Sequence, residues 1–309
     1  MRETEALRLG TRGSALALAQ ARLVERGLDS LGIGPIEEVV IETRGDRLSR
    51  RRPGGSWTAP DGQFTSDLEA ALRERRVDAA VHSYKDLPTE PRSDLRVAAV
   101  PERGDARDVL IVRGRPGHRA SAEALIERLP PAARIGTSSP RRAAQLSARR
   151  PDLVAVPVRG NVDTRLARLQ RGEFDALVVA AAALDRLGTQ QDAVRLPYDV
   201  MLPAPAQGAL AVQCRSDDAS RRAALERLDH APTRRAVEAE RALLRTIGGG
   251  CLAALGTLGE VHDGRLRLRA AYAHGGELVR ADVTGPSDDP DAVVAAAADA
   301  LRAGVAARA

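Results

Sequence analysis

The most chemically pointed stretch of the sequence is His82-Ser83-Tyr84-Lys85-Asp86-Leu87-Pro88, which holds the sole lysine among 47 basic residues. So strong a skew toward arginine is the mark of a coding bias. It still leaves one compact ammonium, whose pKa can move, where every other cation is a planar fork that stays charged. The neighbouring Asp86 is a carboxylate that could steady a transient cation or pass a proton. A Lys-Asp pair can also be a surface ion pair worth little. This one directly follows a short apolar run, Val77–Val81, and so falls at the carboxyl end of an expected buried strand. His82 is read as structural.

Three further loops share one theme: Thr11-Arg12-Gly13-Ser14, Ser138-Ser139-Pro140-Arg141-Arg142, and Arg159-Gly160-Asn161-Val162-Asp163-Thr164-Arg165. Each puts arginine and a hydroxyl or amide at the start of an expected helix, where unpaired backbone N–H groups and the dipole favour anions. One such loop would be no more than an ordinary N-cap. Three of them, each after an expected strand, point to a ligand with several carboxylates, since arginine pairs a carboxylate through two parallel hydrogen bonds.

Gly248-Gly249-Gly250-Cys251 is the remaining sharp feature. The glycines allow unusual backbone angles and close approach. They present Cys251 directly after an expected helix, as a thiol nucleophile or a covalent anchor. Cys214, the other cysteine, lies in an apolar strand and reads as a small buried hydrophobe. No spacing fits metal ligation, and neither a P-loop nor a dinucleotide glycine fingerprint is present.

The elements that must position these loops follow from the apolar pattern. Strands are expected at Ala6–Leu9, Ile36–Glu42, Val77–Val81, Leu95–Val100, Val109–Val112, Ala133–Ile135, Leu153–Val158, Phe174–Val179 and Ala209–Cys214. Helices alternate with them over about 15–28, 66–75, 140–149, 162–170 and up to Leu187. Ser66 with Glu69 has the spacing of a capping box. Ser139 is the expected N-cap ahead of Pro140. This alternation predicts parallel α/β sheets, with ligands at the carboxyl ends of the strands in a cleft between domains. Beyond Ser216 the pattern changes to two Arg/Ala-rich helices, two or three strands with a hairpin turn at His262-Asp263-Gly264, and a final helix over Pro290–Ala306. The expected domains are residues 1–101 with 207–216, residues 106–201, and an α+β domain over 217–309.

Composition narrows the classes. The 309 residues suffice for two or three domains without disulfide or metal staples. The longest apolar run, Ala176–Leu184, is far shorter than the roughly 20 residues of a membrane span. A net charge of +5 comes from cations spread along the chain, and aromatics make up 2%. That argues against a nucleic-acid binder, which needs basic stripes and stacking rings. The N-terminus has no apolar stretch of signal-peptide type, so a cytoplasmic protein is expected.

Taken together, the stretches GTRGSALALAQA, DGQFTSDLEAAL, VHSYKDLPTE, IGTSSPRRAAQL, VRGNVDTRLARLQRGEFDALVVAAAALDRLG, PAPAQGALAVQCR and EAERALLRTIGGGC resemble the porphobilinogen deaminase (hydroxymethylbilane synthase) family, in the family's order. The resemblance implies three domains, the first two like periplasmic ligand-binding proteins. It implies a monomer that joins four porphobilinogens head to tail with loss of ammonia, on the route to haem and other tetrapyrroles. A dipyrromethane cofactor would be thioether-linked to Cys251. Asp86 would assist ammonia loss and stabilise cationic intermediates. Lys85, Ser139, Arg141 and Arg142 would hold the cofactor's carboxylates. Arg12, Ser14, Arg159 and Arg165 would receive substrate and position the growing chain, with Arg186 and Gln207 in the same role. Phe64 would pack against pyrrole rings.

The sequence departs from the family where Pro60-Asp61-Gly62-Gln63-Phe64 replaces Gly-Lys-Gly-Leu-Phe. An anion at Asp61 replaces a cation, with Arg50, Arg51 and Arg52 nearby in sequence to compensate. Gly248 and Ala254 replace an acidic residue and a proline around the cysteine. Two other readings compete. A weakened paralogue would follow from Asp61. A non-enzymatic anion-binding protein of the same two-lobed fold would have no use for Cys251 on a glycine loop.

Overall fold

The computed structural model describes residues 6–43, 65–90, 92–114, 121–189, 192–248, 250 and 253–308. The expectations placed on Arg50, Arg51, Arg52, Asp61, Phe64 and Cys251 lie outside the described residues.

The chain opens with β1 (Leu7–Arg12), α1 (Ala15–Ser30) and β2 (Ile36–Ile41). Ala17, Ala21, Val24 and Leu28 recur at helical spacing and bury one face of α1. Ser14 caps the helix by accepting from the Ala17 N–H at 3.3 Å. Next come α2 (Ser66–Arg73), β3 (Ala79–Ser83), a single 3₁₀ turn (Tyr84–Asp86) and β4 (Leu95–Ala99). The expected capping box on α2 is not formed. Thr65 is the N-cap, in a helical conformation, and makes no side-chain cap bond. Glu69 is instead buried and lies within 4 Å of Arg73 and Arg92, so its charge is spent sideways. β3 runs on through His82 and Ser83, two residues past the expected strand end, because both pair with β10 (Leu210–Arg215).

In the second sheet, β5 (Asp108–Val112), α3 (Ala122–Glu127), β6 (Arg134–Gly136), α4 (Pro140–Arg149), β7 (Val154–Val156), α5 (Val162–Gln170), β8 (Ala176–Ala180), α6 (Ala181–Leu187) and β9 (Ala193–Arg195) follow in order. The short α3 and β9 leave no periodicity long enough to read from sequence. Ser139 caps α4 and Pro140 opens it, as expected. β5 and β8 are buried along their whole length, covered on both faces by separate apolar clusters. Gly136 ends β6 against the ring of Phe174, where a Cβ would come within 2.8 Å. Glycine is therefore what lets that fully buried ring, worth about 1.5–3 kcal/mol of burial, sit under the strand end.

The two sheets share one plan. Their strand orders are β2-β1-β3-β10-β4 and β7-β6-β8-β5-β9. In each, three neighbouring strands are parallel and the fourth, β10 or β5, is antiparallel to both its neighbours. The expected parallel sheets thus each carry one antiparallel strand. The physical reason is connectivity: β5 and β10 enter their sheets directly from the chain crossings, without a helical crossover to return them in the parallel sense. The expected return of the chain to the first sheet at Ala209–Cys214 is the strand β10.

After β10 come α7 (Ala219–Glu226) and α8 (Ala231–Ile247). Leu225 of α7 joins the core of the first sheet. Residues 217–234 therefore cluster with the first compact unit (Met1–Gly104 with Ala209–Arg234), not with the C-terminal part as expected. The second unit comprises Asp105–Gly208 and Arg235–Ala309. Its C-terminal part is an antiparallel meander of β11 (Leu255–His262), β12 (Arg265–His274) and β13 (Glu277–Pro286), packed against α9 (Pro290–Ala306). The hairpin turn uses Asp263 and Gly264, both at positive φ, as a two-residue connection of this hand requires.

Candidate functional site

In the first unit β1 and β3 are parallel neighbours, so their carboxyl ends lie side by side. Arg12 ends β1 and Ser14 caps the next helix; Ser83 ends β3 and is followed at once by Lys85 and Asp86. The amide and oxygen of Gln20 bond the Ser83 hydroxyl at 2.9 and 3.2 Å, tying α1 to this strand end. Tyr84 is buried and its N–H donates to the Ala209 carbonyl at 3.0 Å, anchoring the turn from below. That leaves Lys85 half-buried and Asp86 exposed on the turn. His82 is buried, and burial pushes its pKa down to about 4, helped by the charge of Arg12 and opposed by a hydrogen bond with Gln213. It stays neutral at neutral pH, in keeping with a structural role.

In the second unit β6 is parallel to both β7 and β8, which places the loops into α4, α5 and α6 along one edge. Ser138 joins two of these loops: its hydroxyl donates to the Val158 carbonyl at 2.8 Å and accepts from the Val158 N–H at 2.9 Å. This side chain extends the β6–β7 pairing where the backbones diverge. Ser139 accepts from the Arg142 N–H at 3.4 Å. Gly160 adopts a φ of 101°, which opens the bend that sends Arg159 and Arg165 to the same edge. The Arg165 Nε donates to the Gly160 carbonyl at 2.8 Å. Arg159 and Arg165 are both half-buried. Arg186 donates to the Gly208 carbonyl at 2.5 Å, and burial pushes its pKa down to about 10.

Behind this edge lies a group that sequence reasoning missed. Asp108, fully buried at the start of β5, makes ion pairs with Arg141 at 2.8 Å and Arg142 at 2.7 Å. Gln207 donates to its Oδ1 at 2.9 Å and to the Ala106 carbonyl at 2.8 Å. Burial alone would raise the Asp108 pKa. The two guanidiniums and these hydrogen bonds outweigh it and hold the carboxyl well below the usual range. Arg142 also donates to the Val178 carbonyl and Arg141 to the Leu202 carbonyl.

This geometry gives three of the expected site residues a partner within the protein. Arg141 and Arg142 were expected to hold a ligand's carboxylates directly, and Gln207 to contact substrate. All three side chains are buried and converge on Asp108. Two cations against one anion leave a buried excess of positive charge at the start of α4, and the Arg141 Nε has no hydrogen-bond partner among the described residues. The arrangement therefore suits an anionic ligand at the Ser139 end of α4, held partly by charge from below. The only sequence signal for Asp108 is an acidic residue heading the apolar strand Asp108–Val112.

Of the other expected site residues, Arg12, Ser14, Lys85 and Asp86 come together in the first unit, and Ser139, Arg159 and Arg165 in the second. Arg186 lies beside the Gln207–Gly208 segment. Among the described residues no cluster of metal-ligating side chains occurs, and no helix is long and apolar enough to cross a membrane.

Two family models match the chain. The first, porphobilinogen deaminase, dipyromethane cofactor binding domain, matches residues 7–224. The second, porphobilinogen deaminase, C-terminal domain, matches residues 234–303. The protein named porphobilinogen deaminase from Desulforudis audaxviator is 48% identical over 292 residues, covering 92% of this chain and 90% of that protein. One of the same name from Nocardia farcinica is 47% identical, covering 92% of this chain and 81% of that one. One from Geobacillus kaustophilus is 44% identical, covering 92% and 90%. Among solved structures the likeness is loose: the periplasmic aliphatic sulphonate binding protein SsuA from Escherichia coli has a TM-score of 0.38 at 16% identity, covering 79% of this chain and 71% of that one.

Proposed function

The chain belongs to the porphobilinogen deaminase family, and we propose from that premise how its residues divide the work. The function is that of a hydroxymethylbilane synthase: a transferase that joins four porphobilinogens head to tail, with release of ammonia, in tetrapyrrole biosynthesis. It uses a dipyrromethane cofactor. When bound, that group supplies the pyrrole terminus to which the first substrate unit is joined.

The observation that carries the residue assignment is the cationic edge of the second unit. Its loops offer Ser139, Arg159 and Arg165, backed by the excess charge of Arg141 and Arg142 over Asp108. Hydroxyls, guanidiniums and helix N-terminal N–H groups are the donors that acetate and propionate side groups need. We assign Ser139 and Lys85 to the cofactor's carboxylates, with Arg141 and Arg142 acting on it from behind. Cys251 is the covalent anchor. Arg12, Ser14, Arg159, Arg165 and Arg186 serve incoming substrate and the growing chain. Gln207 contributes through Asp108.

Asp86 is the catalytic carboxylate. Loss of ammonia from an aminomethylpyrrole leaves positive charge spread over the ring. A carboxylate within about 4 Å stabilises such a charge by several kcal/mol at the effective dielectric of a protein surface. Its exposure on the turn after β3 leaves Asp86 open to a ligand N–H, while the anchored Tyr84 holds it in place. We also propose that the protein works as a cytoplasmic monomer, which gel filtration with light scattering checks.

The deciding experiment is an intact-mass measurement before and after porphobilinogen, with a digest to locate the adduct, beside a steady-state assay. Two linked pyrrole units on the peptide bearing Cys251, with turnover, are the expected result. A chain that gains no mass and turns nothing over would sink the assignment and favour the weakened paralogue.

A further inference from the structure

Between β9 and β10, residues Leu202–Gln207 are bound by several elements of their own compact unit. Gln145 on α4, buried, accepts from the Leu202 N–H at 2.8 Å and donates to the Leu202 carbonyl at 3.0 Å, as a neighbouring strand would. One residue on, the Pro203 carbonyl accepts from the Thr257 N–H of β11 at 2.8 Å. Gly256 packs so closely that a Cβ there would lie 2.8 Å from the Leu202 carbonyl oxygen. Then Glu240 of α8, fully buried, uses one oxygen for the Ala206 N–H at 2.6 Å and the other for the Gly259 N–H of β11 at 2.7 Å. Gln207 closes the run on Asp108.

Both elements that flank residues 248–254, the stretch bearing Cys251, are therefore fixed to the same few residues that fix α4. α8 leads into that stretch and β11 leads out of it. We propose that Leu202–Gln207 is a positioning strap, and that Gln145 is the positioning residue that sets the register between the thiol-bearing loop and the carboxylate-receiving start of α4. This rests on the function proposed above, in which one ligand is held covalently at Cys251 and by charge at Ser139. A ligand held at two points tolerates little relative drift between them, and a displacement of about 1 Å can cost two orders of magnitude in rate. The Gln145 side chain touches no ligand in this account. It works through Leu202.

The test compares the unaltered chain with Gln145→Leu and Gln145→Glu. Each protein, freed of bound pigment, is mixed with porphobilinogen, and the rate of the two-unit mass gain is followed alongside kcat, KM and the melting curve. In Gln145→Leu, mass gain and kcat should fall by about tenfold or more while KM stays within about twofold. Gln145→Glu keeps the acceptor for the Leu202 N–H but cannot donate to its carbonyl, and should fall between the two. A folded Gln145→Leu with unaltered mass gain overturns the proposal. So does a loss carried by KM, which would put Gln145 in substrate binding. Should the leucine variant fail to fold, the glutamate variant decides alone: a slowed mass gain in a folded chain supports the strap, and an unaltered one overturns it. No mass gain in the unaltered protein would instead overturn the reading of the function.

Discussion

One carboxylate, Asp86, is exposed on a turn anchored by the Tyr84 N–H, and a second, Asp108, is buried under two guanidiniums. The two ask for opposite tests. Asp86→Asn removes a charge from an exposed site, so the melting temperature should hardly move. Turnover should fall by about a hundredfold or more, the range of one preorganised electrostatic group. A near-normal kcat in a porphobilinogen assay would remove Asp86 from the chemistry. Asp108→Asn leaves two buried cations unbalanced, which costs about 3–5 kcal/mol of stability. Denaturant unfolding should show that loss, and a variant as stable as the parent would show that Arg141 and Arg142 have other counter-charges. Cys251→Ser should leave no covalently held pigment; pigment retained in that variant would move the anchor to Cys214. That thiol is a poor alternative, buried in β10 with its pKa pushed up to about 11 by burial.

At the scale of elements, the parallel order β7-β6-β8 brings the loops carrying Ser139 and Arg159 to one edge, and Ser138 binds them to each other. Ser138→Ala would leave the buried Val158 with an unpaired N–H and carbonyl, a cost of about 1–3 kcal/mol. Because the bond spans the loops carrying Ser139 and Arg159, KM for porphobilinogen should rise more than kcat falls. A variant that loses stability with KM unchanged would make the bond purely structural. The matching edge of the first sheet is held differently, by Gln20 on Ser83 and by the Tyr84 N–H on β10.

For the whole molecule, the buried neutral His82 couples folding to pH. Its folded pKa, about 4, lies below the ordinary value of 6.5, so the unfolded chain binds the extra proton between those limits. Its contribution is intact above pH 6.5 and is lost as pH falls through 4. His82→Gln should flatten that part of the melting-temperature profile relative to the parent. Parallel profiles for the two proteins would show that His82 does not drive the acid loss. The chain crosses between its two mixed sheets twice, and β5 and β10, which follow the crossings, sit inside the sheets they enter. Unfolding either sheet therefore removes a strand whose connections reach the other.

Local signals determined most of the helices, the caps such as Ser14 and Ser139, most strand positions and the order of the motifs. Each depends on residues within a turn or two of one another, and the motif order carried the family resemblance. The composition of the cationic loops was equally legible. Which cations pair with a buried carboxylate was not. Asp108 meets Arg142 across 34 residues and Gln207 across 99, and those pairings exist only once β5, α4 and the strap are packed together. An arginine beside an N-cap reads the same in sequence whether its guanidinium turns outward to a carboxylate or inward to a buried one. Burial decides between them, since an unpaired internal charge is too costly to keep, and only the tertiary structure shows where the counter-charge lies.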